Sequence, residues 1–88
     1  MPPGYTLYDW QVAEDAAVRA AQTVLAAAET LKRLDVELPT DATDAQRTAH
    51  EEGLAAARER LAAAMQAEQE ARDHANLIMN QLRQGQGN

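Results

Sequence analysis

The sequence predicts an all-α fold: an antiparallel two-helix hairpin, an alanine-rich coiled coil, that dimerises into a four-helix bundle. Three observations carry this expectation. Two long runs, residues 7–34 and 54–82, place apolar residues at alternating spacings of three and four. One short proline-containing stretch lies between them, and a short connection makes neighbouring helices antiparallel. The two seams are rich in alanine, while larger apolar residues fall off them, so one hairpin leaves apolar surface uncovered.

Residues 1–6 are expected to be irregular, because Pro2, Pro3 and Gly4 resist helix. Thr6 is a competent N-cap, and Asp9 three residues later completes a capping box. Tyr5 and Trp10 occupy the positions of a hydrophobic staple, so a helix is placed at residues 7–34. Its seam is Trp10, Ala13, Ala17, Ala20, Val24, Ala27, Leu31 and Leu34. Asp15 with Arg19, and Glu29 with Arg33, are expected i,i+4 ion pairs. Lys32 and Arg33 stand in the last turn, where the helix dipole favours cations.

The connection is residues 35–43. Pro39 cannot continue a helix and turns Leu38 away from helical geometry. Leu38 is expected to fold back over the bundle end. Thr43, with Gln46 three residues on, is the favoured second cap. The second helix is placed at 44–83, with Gly53 its weak point. Its seam is Leu54, Ala57, Leu61, Ala64, Glu68, Ala71, Ala75, Ile78 and Leu82, with Arg72 placed to pair with Glu68. Residues 84–88 are expected to be a flexible tail.

One register satisfies both seam and loop. It sets Leu31 against Leu54, Ala27 against Ala57, Val24 against Leu61 and Ala20 against Ala64. It continues with Ala13 against Ala71 and Trp10 over Ala75, and puts Leu34 beside His50. In this register the longer second helix overhangs at residues 74–83, with Leu7 near Ile78 and Pro3 near Leu82.

Formal net charge is −6, from 8 Lys and Arg against 14 Asp and Glu, and the basic residues are scattered. A nucleic-acid binder is expected to show a basic patch, so nucleic acid is not the expected partner. No apolar run approaches the roughly 20 residues that span a bilayer, and the N-terminus lacks a signal-peptide pattern, so a cytoplasmic location without membrane association is expected. The absence of cysteine removes disulfides and thiolate metal sites as means of stabilising a small core.

The chain contains neither serine nor cysteine and no glycine-rich phosphate loop, and a hairpin provides no deep pocket. No enzyme activity, cofactor or metal is therefore expected. His50 and His74 lie 24 residues apart, about 36 Å along one helix, too far to share a metal within a chain. His74 is expected to be exposed and paired with Glu70. A ferritin-like metal-binding oligomer built around Glu68, Glu70 and His74 lacks the Glu-x-x-His spacing, because Glu70 precedes His74 by four. The Trp-x-Gly turn of the small secreted WXG hairpins is also missing: residues 35–43 hold no tryptophan, and Trp10 is followed by Gln11 and Val12.

The candidate interaction residues are Tyr5, Tyr8, Trp10, Val18, Leu25, Met65, Leu77, Met79 and Leu82. The three aromatics cluster in six residues, where staple packing and partner binding are both readings. Val18 and Leu25, and Met65 and Met79, repeat at heptad spacing off the main seam, as second seams do. The expected function is protein–protein association, with the chain itself and a further, unidentified protein as partners. The alternative is a self-assembling structural subunit of a larger homo-oligomer, and a distant third is the ferritin-like metal-binding oligomer.

Overall fold

A computed structural model describes residues 4–86, with side chains as far as residue 85. These residues form two helices, α1 (Leu7–Leu34) and α2 (Asp44–Gln86), packed against each other as a hairpin, with no strand among the described residues. The molecule is a rod, 70 × 18 × 15 Å, set by the length of α2 at about 1.5 Å per residue.

Both helix starts follow from local chemistry. The Thr6 hydroxyl accepts from the Asp9 N–H at 3.2 Å, and the Thr6 N–H donates to Asp9 Oδ2 at 2.8 Å. Thr43 and Gln46 repeat the exchange at α2: the Gln46 N–H donates to Thr43 Oγ1 at 3.1 Å, and the Thr43 N–H to Gln46 Oε1 at 2.9 Å. Each box satisfies donors that a helix N-terminus leaves unpaired. Between the helices, the Ala42 N–H donates to the Pro39 carbonyl at 3.0 Å and closes a tight turn, while Arg47 donates to the Thr40 carbonyl at 3.3 Å.

Every expected seam residue is buried or partly buried except Leu34, which is 38% exposed. Among the described residues those buried are Ala13, Ala17, Ala57, Ala64, Ala75 and Ile78. Ile78 is the one large side chain among them, at 1% exposure. Small side chains let the two axes approach closely, but they remove little apolar surface from water.

Several expectations are corrected. Ala13 clusters with Ala75 and Ile78, one turn beyond Ala71, its expected partner. Ile78 is the most deeply buried large residue at that end, and Tyr5, Trp10 and Leu82 close around it. The stretch 74–83 is therefore not a bare overhang. Part of the extra length of α2 falls instead at the loop end, where residues 35–38 run beside Arg47, His50 and Glu51. Leu38 is partly buried there. Leu7, expected near Ile78, is 64% exposed, because Tyr5 packs against the Ile78 cluster. The helix continues through 84–86, where a flexible tail was expected; a single Gly85 costs about 1 kcal/mol and does not force an end. Residues 1–3, including the expected contact of Pro3, and residues 87–88 lie outside the described residues.

Of the expected ion pairs, Glu29–Arg33 closes to 3.8 Å and Glu68–Arg72 to 3.2 Å. Asp15–Arg19 is not among the ion pairs that close in the described residues. The first pair is strongly exposed on both sides and contributes little. The second differs, because the Glu68 side chain is only 20% exposed on the seam and Arg72 reaches over to it from the flank.

Candidate interaction surface

Two helices packed along one seam leave two flanking faces, and the side chains assign residues to each. On one flank a groove is lined by Glu14, Val18 and Ala21 from α1 and by Arg72 and Asn76 from α2. Heptad translation extends this face. Leu7 lies seven before Glu14, and Leu25 seven after Val18; Met65 and Met79 lie seven either side of Arg72. Leu7 is 64% exposed, Val18 50%, Leu25 67% and Met65 55%, while Met79 is partly buried.

The opposite flank is built from small side chains. Its groove is lined by Thr23, Ala26 and Thr30 with Arg60 and Ala63, over Ala27, Ala57 and Ala64 of the seam. Val12 stands two heptads before Ala26, and Leu77 two heptads after Ala63, so these two exposed residues belong to this flank. The off-seam apolar residues therefore divide between two faces. The linear sequence conceals this division, because it depends on which flank of α1 lies beside which flank of α2.

The aromatic cluster also divides. Tyr5 and Trp10 pack against the Ala13–Ala75–Ile78 cluster together with Leu82. Tyr8 points away from it and is 72% exposed. The Tyr5 ring meets the His74 ring edge-on, with centroids 6.3 Å apart and planes at 86°. That arrangement suits the quadrupoles of two aromatic rings. It also replaces the expected His74–Glu70 pairing, since Glu70 accepts instead from Gln66 Nε2 at 3.3 Å. Of the nine candidate residues, Tyr5, Trp10 and Leu82 thus cap the hairpin end, Val18, Leu25, Met65 and Met79 share one face, Leu77 lies on the other, and Tyr8 stands apart.

Among the described residues no three His, Asp or Glu side chains come together in a group that would hold a metal. Among the described residues no helix is long and apolar enough to cross a membrane.

The rod exposes far more surface than a compact chain of its mass. Its accessible area is 7059 Å² at 9.6 kDa, against roughly 5,100 Å² expected for a folded monomer of that size. The radius of gyration, 20.1 Å, compares with about 12 Å for a compact domain of this length. Comparison with protein-family models, with curated proteins and with solved structures finds no match for the chain.

Proposed function

We propose that this chain is a non-enzymatic association module that works through its helix faces, with a second copy of itself as the first partner. The observation that supports this reading is the excess of exposed surface, about 2,000 Å² beyond a compact monomer, combined with large apolar side chains at heptad spacing on it. A standard interface buries roughly 800 Å² per partner, so the excess is ample for one. Burying Val18, Leu25 and Met65 in a four-helix bundle would supply the large side chains that the alanine seam lacks. The end surface carrying Tyr8, and whichever flank the dimer leaves free, would then be open to a further protein.

Absolute mass by light scattering across a concentration series, with helicity recorded on the same samples, tests this reading. A helical species at twice 9.6 kDa is expected. A fully helical species that stays at 9.6 kDa at every concentration would overturn it.

A second reading, a self-assembling structural subunit, draws support from Val12 and Leu77. They lie on the flank opposite Val18 and Leu25, and two sticky faces allow a contact that does not close on itself. Mass that grows with concentration beyond a dimer would favour it.

A further inference from the structure

We propose that the Val18–Leu25–Met65–Met79 face takes a second copy of this chain with both loops at the same end, so that α1 of each copy lies along α2 of the other. The proposal rests on the association reading above and fixes its geometry.

Two hairpins placed face to face have two two-fold arrangements. With the loops at one end, every residue keeps its height along the rod, and α1 faces α2 of the second copy. With the loops at opposite ends, each helix lies antiparallel to its own copy. Charge decides between them.

Glu14 and Arg72 line opposite walls of one groove, and the packing of Ala13 on Ala75 sets them within about one turn of each other along the rod. With loops together, Glu14 therefore meets Arg72 of the second copy, and the pairing occurs twice. Moving one heptad toward the loops brings Ala21, flanked by Val18 and Leu25, opposite Met65 of the second copy. Moving one heptad the other way brings Leu7 opposite Met79 of the second copy. Two apolar layers thus flank a charged layer of opposite sign.

With loops apart, centring Met65 on itself sets Arg58 against Arg72 of the second copy, seven residues to either side. Sliding by one heptad sets Met65 against Arg72 and Arg58 against Met79 instead. Like charges directly opposed, or a guanidinium set against a methionine, cost association and specificity. The face is long enough for the contact, since the rod measures 70 Å by 18 Å and a standard interface needs roughly 800 Å² per partner.

The chain has no cysteine, so engineered thiols report the arrangement directly. Ala21→Cys and Met65→Cys are prepared as separate single variants, mixed and gently oxidised, and the cross-linked masses are read. The expected result is that the mixed Ala21–Met65 disulfide dominates, several-fold above the statistical share, while neither variant alone cross-links efficiently. Met65→Cys cross-linking to itself as readily as in the mixture would overturn the loops-together arrangement and leave the association reading standing. No cross-link in any mixture, with a dimer still seen by light scattering, would place the contact on the other flank and also overturn this proposal alone. No cross-link and a monomeric mass would remove both. Glu14→Arg gives an independent check at an exposed position: it should weaken dimerisation by roughly tenfold while helicity is kept. An unchanged dissociation constant would count against the proposed pairing.

Discussion

Replacing Ile78 with alanine removes the one large side chain that is fully buried among the described residues, and the cost can be worked from its surroundings. Ile78 is 1% exposed and is enclosed by Ala13, Ala75, Tyr5, Trp10 and Leu82. The substitution deletes three carbons, worth about 0.8 kcal/mol each in transfer free energy, or about 2.4 kcal/mol. A residual cavity adds about 24 cal/mol per Å³, which is on the order of 2 kcal/mol if the roughly 80 Å³ vacated does not collapse. The two ring systems can move in from the open end, so the expected loss is about 2.5–4 kcal/mol. A small core of this kind rarely supplies more than about 3–5 kcal/mol in total. The variant should therefore sit near the edge of folding. Urea unfolding followed by helical circular dichroism, at one fixed protein concentration, measures the loss as a shift in midpoint with the slope unchanged. Leu77→Ala is the control, because the Leu77 side chain is 48% exposed and its loss should cost less than about 1 kcal/mol. Equal shifts for the two variants, or a loss below about 1 kcal/mol at Ile78, would refute the assignment of the core to that end.

Further perturbations test other links. Gly53→Ala should stabilise the chain by about 1 kcal/mol, because Gly53 is helical and an added Cβ would meet nothing within 4 Å; a lowered melting temperature would show that the position needs glycine. Thr6→Ala and Thr43→Ala should each cost about 1 kcal/mol, and their effects should add in the double variant because the caps stand at opposite ends of the rod. Denaturant midpoints of all three proteins check this, and strong non-additivity would contradict independent helix starts. Glu68→Leu should raise stability by on the order of 1 kcal/mol, since a largely covered carboxylate on the seam gives way to an apolar side chain of similar size. A fall in stability would show that the Glu68–Arg72 pair contributes more than its partial exposure allows.

The helix starts were the most legible part of the sequence. Thr6 with Asp9 and Thr43 with Gln46 each put a hydroxyl and an acceptor side chain three residues apart, and such local chemistry does not depend on the rest of the fold. The seam was legible for a related reason: its spacing of three and four is a property of each helix alone. The register between helices was less so, because alanine layers are nearly interchangeable, and the bulk of Ile78 decides where Ala13 settles. Leu7 was misplaced because Tyr5, at the staple position, takes the space beside Ile78 that proximity in register alone would have assigned to it. The division of the exposed apolar residues into two flanks was not legible at all. Val12 and Val18 look equivalent in a list of off-seam residues, and only the paired walls of the two grooves separate them.

If the alanine hairpin completes its core by association, its melting temperature depends on protein concentration. A dimer that unfolds to separate chains gains about 2.7 kcal/mol from a hundredfold rise in concentration. With an unfolding entropy of about 2.1 cal/mol/K per residue, two chains of 88 residues should then melt on the order of 7 °C higher. A rise of that size is the expected result. A melting temperature that stays constant over the same hundredfold range, with full helicity at the lowest concentration, would mean that the alanine seam alone holds the fold and would contradict completion of the core by association.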